Sequence, residues 1–313
     1  MAGGAASRVA DRCLPRHGAR PGWRPEHSAG GYANTQGRLK HFRQWIGERT
    51  PIDSINADRW ESYWRYLIGK KWSSEYKKSI HRSARTFLDW LVGKGVIDPL
   101  PNLNDRRHRF QDNRPDDEAD IDPMPIDDFR RLIEHTKDTP TELYLLLMAN
   151  CGFYPQDIAD LKPGEVRWDA GRIVRRRSKT KREKRPPRVD YPLWPRTLEL
   201  LGRFRSSSPE HVLLSSKGTV LVDRWMDGNK TKKKDNVALA IKRTRDLIGV
   251  SHPPKAIRKR SATLIRSNPH YADLRFHFLG HAPPTIADEH YSAIDQGRFD
   301  VCVTWLAECY GIK

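Results

Sequence analysis

Residues 255–291 read KAIRKRSATLIRSNPHYADLRFHFLGHAPPTIADEHY. In this stretch Arg258 is followed by His281 and then by Tyr291. A guanidinium can fork onto a phosphate, an imidazole can exchange a proton, and a phenol can act as a nucleophile. No metal-ligand spacing is interleaved with these residues. The stretch therefore offers the side chains for chemistry on a phosphate.

The order and spacing of these residues resemble the catalytic domain of the tyrosine recombinases, the phage integrase family. That family carries a His-x-x-Arg box at the start of a helix, Leu-Gly-His about two dozen residues later, and the nucleophilic tyrosine about ten residues beyond. Here Lys255-Ala-Ile-Arg258 stands in place of the box, Leu279-Gly280-His281 follows, and the gaps are 281 − 258 = 23 and 291 − 281 = 10 residues. The resemblance extends over about residues 33–313.

This resemblance implies that Tyr291 attacks a phosphodiester of duplex DNA, forms a covalent 3′-phosphotyrosine and releases a 5′ hydroxyl. Because the covalent link conserves the bond energy, it implies no ATP, metal or small-molecule cofactor. Arg258 would bind the scissile phosphate, with Lys255 in place of the box histidine, and His281 would hydrogen-bond the phosphate or assist the tyrosine proton. The structural alternatives are a half-buried Tyr291, a surface Arg258 and a His281 that only ends a helix.

Residues 172–193 predict a short β-hairpin, because β-branched and apolar residues flank a turn-like middle. Between Arg172 and Arg188 there are ten lysines or arginines and one glutamate. Charge of this density favours contact with phosphates over a solvated loop. Lys179 matches the family's hairpin lysine, the general acid for the leaving 5′ oxygen, and Lys181 is its nearest competitor. The predicted DNA contacts, the last three from a second basic patch, are Arg175, Arg176, Arg177, Lys181, Lys232, Lys233 and Lys234.

Two positions depart from the family pattern, namely Lys255 in place of the box histidine and Tyr154 in place of the first catalytic arginine. The first catalytic arginine of the family lies in a motif like Thr-Gly-Leu-Arg, and the matching segment here is Cys151-Gly152-Phe153-Tyr154. A phenol supplies one neutral donor where a guanidinium supplies a charged fork, and losing one transition-state donor costs about 10²–10³ in rate. The arginines at 175, 176 and 177 are nearby candidates to supply the missing charge.

Composition makes the chain strongly basic. Its 313 residues include 57 lysines and arginines against 39 acidic residues, which gives a formal net charge of +18. Such a balance implies a polyanionic partner, and the length indicates two domains. On composition alone, a ribosomal-type or merely solvated basic protein is the alternative.

The apolar and cysteine patterns bound the compartment. The longest apolar run, residues 143–149, is too short to span a membrane. The four cysteines, at positions 13, 151, 302 and 309, have no CxxC spacing. They indicate free thiols in a reducing compartment and no zinc site. We therefore expect a cytoplasmic, nucleoid-associated protein with no membrane partner and no metal.

The chain is predicted to form four segments. Residues 1–32 are rich in Gly, Ala and Arg, and predict a disordered basic arm, with a transit peptide or a misassigned start as alternatives. Residues 33–103 are predicted to be helical, where the family has a core-binding (SAM-like) domain that clamps DNA. Residues 104–123 have the composition of a linker. Residues 124–313 complete a mainly α fold with a small β-hairpin or sheet, the α/β tyrosine-recombinase catalytic domain.

Local signals place several helices. Asn34-Thr35 is the predicted cap of the first helix, and two more are expected at 57–67 and 73–91. Thr139-Pro140 predicts the start of a helix for which Gly152 is the C′ residue. The basic residues of the first domain face either phosphates or solvent, and both interpretations stay open for Lys70, Lys71, Lys77, Lys78, His81, Arg82 and Arg85.

The C-terminal residues Phe299, Val303, Leu306 and Tyr310 form one apolar helix stripe. This stripe packs within its own chain or, as the family often does, on a neighbouring protomer. The resemblance implies a homo-tetramer on paired DNA sites, of the kind that recombines or integrates mobile elements.

Three other functions compete with an active recombinase. The first is a recombinase-derived DNA-binding protein that has lost cleavage, for which Tyr154 is the discriminating residue. The second is a type IB topoisomerase-like enzyme that works as a monomer without site preference. The third is a basic RNA-binding protein, which is disfavoured because no aromatic-rich RNA-binding strand is present.

Overall fold

The structure, a computed structural model, describes residues 29–47, 49–110, 122–176, 187–227, 230–281 and 294–312. These residues are mainly helical, and they include a three-stranded and a two-stranded sheet. The chain divides into two compact units, one within residues 1–120 together with 224–232, the other within 121–223 and 233–313. The predicted mainly α fold with a small sheet is confirmed.

The first unit is built on three helices, α1 (Ala29–Ile46), α2 (Ala57–Ile68) and α3 (Ser74–Gly93). The Asn56 side chain accepts a hydrogen bond from the Arg59 N–H and caps α2, and Ser73 caps α3 through the Tyr76 N–H. Both caps satisfy N–H groups that have no partner within the helix. The helices at 57–67 and 73–91 are thereby confirmed, whereas the cap at Asn34-Thr35 is wrong, because α1 begins at Ala29.

The core of the first unit is aromatic. Trp60 and Tyr63 are fully buried on α2, and they meet apolar residues that recur along α3. His81 is also buried, with its ring centroid 4.5 Å from that of Trp60. Burial lowers the pKa of His81 to about 3, so this side chain is neutral. The interpretation of His81 as a phosphate contact is therefore wrong, because it is a core residue.

The second unit is arranged around a buried helix. Its first helices are α4 (Ile126–His135), α5 (Pro140–Asn150) and the short α6 (Pro155–Ala159). Every residue of α5 from Glu142 to Asn150 is buried. Thr139 caps α5, Pro140 is its first residue, and Gly152 follows its end with φ +60°. The predicted start and end of this helix are confirmed.

The three-stranded sheet consists of β1 (Val166–Arg167), β2 (Arg172–Arg176) and β3 (Arg188–Pro192), all antiparallel. In its register Ile173 stands opposite Tyr191 and Arg175 opposite Val189. The predicted hairpin at 172–193 is confirmed, and the residues 177–186 that connect its strands lie outside the described part of the chain.

The remaining elements are α7 (Pro195–Arg203), the second sheet of β4 (Val222–Asp227) and β5 (Lys230–Asp235), α8 (Asn236–Ile248), α9 (Lys255–Ser267), α10 (Arg275–Phe278) and α11 (Gln296–Tyr310). Single turns of 3₁₀ helix occur at Ile52–Ser54, Pro163–Glu165 and Ala272–Leu274. The β4–β5 pair was missed, because lysine-rich strands carry little β propensity.

Helix α11 packs on the core of its own unit. Phe299, Val303, Leu306 and Tyr310 are all fully buried. The Tyr310 hydroxyl lies 2.9 Å from the Ser261 hydroxyl, and the Trp194 indole N–H donates to the Val303 carbonyl at 2.8 Å. Of the two interpretations of this apolar stripe, the structure supports packing within the chain.

Within the described residues, no helix is long and apolar enough to cross a membrane. Cys151 and Cys302 are buried, Cys309 is half-buried, and all three are free thiols.

Candidate functional site

The site begins at the first turn of α9, where Arg258 is buried with 5% of its surface exposed. Its guanidinium donates one hydrogen bond to the Gly152 carbonyl, and another to the Leu279 carbonyl at 2.8 Å. Gly152 belongs to the turn between α5 and α6, and Leu279 opens the Leu-Gly-His motif. The Arg258 side chain therefore joins helix α9 to the 151–154 segment and to the Leu279–His281 motif, the three segments that carry the family resemblance.

The close approach of these segments requires a glycine at position 152. A Cβ added there would lie 2.9 Å from Cε1 of Phe278 and 3.3 Å from Nη1 of Arg258. The φ of +60° also lies in the left-handed region, where glycine has no steric penalty. Gly152 thus lets the α5–α6 turn reach both Arg258 and α10.

Tyr154 stands where the family has its first catalytic arginine, and its ring meets Arg258. The Cζ atom of Arg258 is 4.7 Å from the centroid of the Tyr154 ring, a cation–π contact. The Tyr154 N–H donates to the Asp157 carboxylate at 3.0 Å, which fixes the start of α6. Tyr154 is 38% exposed, so this side chain is presented at the surface beside a buried arginine.

His281 lies at the end of α10 and is exposed. The backbone N–H of His281 donates to the Phe276 carbonyl at 3.0 Å, and the preceding residue, Gly280, has φ +58°. The Tyr191 hydroxyl donates to the Phe278 carbonyl at 2.8 Å, which anchors the same turn to β3. The motif that carries His281 is therefore fixed by contacts to the sheet and, through Leu279, to Arg258.

Lys255 is the first residue of α9 and is exposed. It precedes Arg258 by three residues, so both side chains lie on one face of the helix. Arg258 therefore contacts the motif that carries His281, and Lys255 lies on the same helix as Arg258. Tyr291 and Lys179 lie outside the described residues, as do Arg177 and Lys181.

The structure does not place Arg175 at the surface. It is 4% exposed, and its guanidinium donates to the Asp157 carbonyl at 2.5 Å. The carboxylates of Asp157 and Glu165 lie 4.0 and 3.9 Å away, and the Phe153 ring centroid lies 5.1 Å away. The Arg175 side chain therefore lies between the sheet and the α5–α6 turn, and its contact with DNA stays a prediction.

Arg176, the next residue on β2, is exposed. The second predicted basic patch lies on β5, where Lys232, Lys233 and Lys234 are all exposed. Lys232 pairs with Asp227 and Lys233 with Asp235, the latter at 2.6 Å. These residues are exposed, two of them are already paired with carboxylates of the same chain, and their contact with DNA stays a prediction.

Sequence reasoning missed the role of Arg172, which it counted only as the first of the hairpin arginines. Arg172 donates to the Asp190 carboxylate at 2.6 Å and to both carboxylate oxygens of Asp300 at 2.7 and 2.8 Å. The hydrogen bonds to Asp300 raise the pKa of the guanidinium further. Asp300 is 128 residues away in the chain, so no local pattern could have indicated this pairing.

The described residues contain no group of three or more side chains that could hold a metal ion. Burial lowers the pKa of His277, whose ring packs edge-on against Phe299 with centroids 4.8 Å apart. Burial thus holds the pKa of the half-buried His277 below its ordinary value, whereas His281 is exposed.

No family model matches this chain, and no curated protein matches it. Among solved structures, it is similar to a lambda integrase dimer bound to a COC′ core site, with a TM-score of 0.57, 17% identity, and 87% of this chain and 93% of that chain covered. It is also similar to the Tn1549 transposon integrase in complex with transposon right end DNA, with a TM-score of 0.59, 11% identity, and 91% and 96% coverage. A lambda integrase tetramer bound to a Holliday junction matches with a TM-score of 0.57, 16% identity, and 86% and 75% coverage. At these identities the likeness establishes the fold, which is that of the integrases.

Proposed function

We propose that this chain is a site-specific DNA recombinase or integrase that cleaves and rejoins duplex DNA through a 3′-phosphotyrosine intermediate. The observation that carries the proposal is the position of Arg258, whose guanidinium joins the α5–α6 turn to the Leu279–His281 motif. The integrase fold and a net charge of +18 support it independently. Tyr291 is the proposed nucleophile.

Arg258 is proposed to bind the scissile phosphate. A guanidinium has five N–H donors in a fixed fork, and two are held by backbone carbonyls. These two bonds fix the position of the group, whose charge is proposed to stabilise a non-bridging phosphate oxygen. Lys255 adds a cation at the exposed start of the same helix, and His281 hydrogen-bonds the phosphate or receives the tyrosine proton.

The reaction balances without an added reactant. The Tyr291 oxygen forms a bond to phosphorus while the bond from phosphorus to the 5′ oxygen breaks. The tyrosine proton leaves to a base, and Lys179 protonates the departing 5′ oxygen, with Lys181 as its competitor. Rejoining reverses these steps with a 5′ hydroxyl from another strand.

DNA is proposed to be held by both units, with residues 33–103 as the clamp and 124–313 as the catalytic domain. Lys78 and Arg82 are exposed and lie one turn apart on α3, so both face the same side. Arg176 and the β5 lysines add exposed charge in the second part of the chain. The affinity for DNA should therefore fall with salt concentration. Each neutralised phosphate contributes a slope of about −0.9 to the plot of log binding constant against log salt concentration.

Assembly as a tetramer on paired sites is part of the proposal, since exchange between two duplexes involves four cleaved strands. One similar structure is a tetramer on a Holliday junction. We infer a cytoplasmic, nucleoid-associated location from the same DNA-directed function.

The second candidate is a DNA-binding descendant that no longer cleaves. Tyr154 at the first arginine position favours it. A monomeric type IB topoisomerase-like activity is the third candidate, and it predicts relaxation of any supercoiled plasmid.

A metal-free cleavage assay separates these candidates. Supercoiled plasmid carrying the genomic neighbourhood of this chain is incubated with wild-type protein, Tyr291→Phe or the matched control Tyr271→Phe, and then quenched with detergent. A covalent adduct with wild type and Tyr271→Phe, but not with Tyr291→Phe, supports the recombinase. An equal adduct from Tyr291→Phe refutes the nucleophile, and DNA binding without any adduct supports the binding-only descendant.

A further inference from the structure

An open cavity of about 650 Å³ lies in the first unit, within the size range of small-ligand sites. It is lined by Trp64, Ile68, Lys77, Arg106, Arg107, Arg109 and Phe110. None of the motif residues of the proposed catalytic site is among them. The lining residues named here all belong to the first unit.

Among the described residues, the lining is cationic, with one lysine and three arginines. Arg107 is paired with Asp105 just outside the lining, through hydrogen bonds of 2.9 and 2.6 Å to one carboxylate oxygen. That pairing lowers the pKa of Asp105 to about 2, so this carboxylate remains charged and offsets Arg107. Arg106, Arg109 and Lys77 remain as excess positive charge, which selects an anionic ligand.

Two of these cations are oriented by the backbone. The Lys77 ammonium donates to the Ile68 carbonyl at 2.9 Å, at the end of α2, and the Arg109 Nε–H donates to the Arg106 carbonyl at 3.0 Å. Each bond uses one donor of a group that has three or five. The other N–H groups of Lys77 and Arg109 can donate hydrogen bonds to the oxygens of a phosphate.

The rest of the lining is apolar and aromatic. Trp64 and Ile68 lie four residues apart on α2, and thus on one face, and Ile68 is 45% exposed. The His108 ring stacks on Trp64, with centroids 5.0 Å apart and an interplanar angle of 29°, and its Nε2 lies 2.7 Å from the Glu61 carboxylate. The orientation of the Trp64 ring is therefore fixed by its stacking on His108, which is itself held by Glu61.

Cations beside an aromatic wall match the chemistry of a nucleotide, whose phosphate is anionic and whose base has an apolar face. We infer that this cavity binds a single nucleotide, with its phosphate on Arg106, Arg109 and Lys77 and its base against Trp64 and Ile68. The nucleotide comes either from solution or from an unpaired position of a DNA strand, and both sources present the same groups. Base stacking on aromatic side chains tolerates any sequence.

The test measures binding to the full chain by calorimetry and fluorescence anisotropy. The probes are deoxyadenosine monophosphate, a 5′-phosphorylated single-stranded oligonucleotide, a blunt duplex, inorganic phosphate and hexaglutamate. The variants are Arg106→Ala with Arg109→Ala, and Ile68→Ser. The control is Arg49→Ala with Lys94→Ala, which removes the same charge from exposed positions outside the cavity.

We expect saturable binding of the monophosphate or the single strand that weakens about tenfold or more in the cavity variants, but less than about twofold in the control. Preference for the monophosphate identifies a free nucleotide, and preference for the single strand identifies an unpaired one. Equal binding of inorganic phosphate or hexaglutamate would overturn the inference in favour of charge alone. Equal weakening by the control would overturn it in favour of diffuse attraction. No arm depends on cleavage, so a failure here is distinct from a failure of the proposed recombinase.

Discussion

The guanidinium of Arg258 lies against the ring of Tyr154, with 4.7 Å between Cζ and the ring centroid. The residue at the first arginine position therefore contacts the arginine proposed to bind the phosphate. A cation–π contact of this kind contributes about 0.5–2 kcal/mol, depending on its desolvation. Tyr154 thus lacks the charge of the family's arginine, but it is a candidate positioning residue for Arg258.

Tyr154→Arg is expected to raise the yield of covalent adduct by about tenfold or more, because it restores a charged donor to the phosphate. Tyr154→Phe keeps the ring over Arg258 and removes only the hydroxyl, so it is the matched control. Its yield should stay within about twofold of wild type if the ring, and not the hydroxyl, matters. A lower yield with Tyr154→Arg would show that the aromatic contact outweighs the added charge.

Gly152→Ala should destabilise the second unit by about 1–3 kcal/mol, because the new Cβ enters the left-handed region and lies 2.9 Å from Phe278. Chemical denaturation followed by circular dichroism measures this change. Gly202→Ala is the control, since a Cβ there meets nothing within 4 Å and Gly202 lies in α7. That control should be neutral or stabilising by up to about 1 kcal/mol. Equal effects of the two substitutions would contradict the packing of the α5–α6 turn.

Arg172→Met should lower the free energy of unfolding of the second unit by about 1–3 kcal/mol, because it leaves Asp190 and Asp300 without their shared partner. Arg176→Met, on the exposed side of the same strand, should change it by less than about 0.5 kcal/mol. Urea denaturation of wild type and of both variants measures these changes in the free energy of unfolding. A loss of equal size in both would mean that the Arg172 network adds nothing specific.

The same network predicts a pH dependence. Burial acts to raise the pKa of Asp300, but hydrogen bonds from Arg172 and Gln296 outweigh it and lower the pKa overall. A carboxylate with a lowered pKa stabilises the fold above its ordinary pKa, and the contribution is lost as pH falls below about 4. Wild type should lose stability in that range, and Arg172→Met should lose less.

The sequence predicted the local features and missed the distant pairings. Thr139-Pro140 and Gly152 fix a helix because capping and φ preferences act within a few residues, and the alternation at 172–193 is likewise local. The burial of Arg175 and the pairing of Arg172 with Asp300 arise only when separate segments meet in the folded chain. Charge also misled the interpretation of His81, because a histidine among lysines and arginines can still face a core.

His81 provides the last prediction. Its folded pKa of about 3 lies below the ordinary value of 6.5, mainly through burial, with the charges of His108 and Arg85 acting in the same direction. Between pH 6.5 and about 3 the unfolded chain therefore binds a proton that the folded chain does not. The free energy of unfolding of the first unit should therefore decrease as the pH is lowered through this window. This residue contributes at most about 1.4 kcal/mol per pH unit to that decrease.

His81→Phe should flatten that fall, because the aromatic packing against Trp60 and Phe110 is retained while the titrating group is lost. Among the described residues the Nε2 atom of His81 has no hydrogen-bond partner, so the substitution breaks no bond at that atom. Thermal unfolding at pH 7.5, 6 and 5 measures the effect, with the exposed His135→Phe as the control. If His81→Phe followed the same pH curve as wild type, the buried, neutral state of His81 would be wrong. A stability gain at pH 5 that vanishes at pH 7.5 is the expected result, since only the proton uptake by the unfolded chain has been removed.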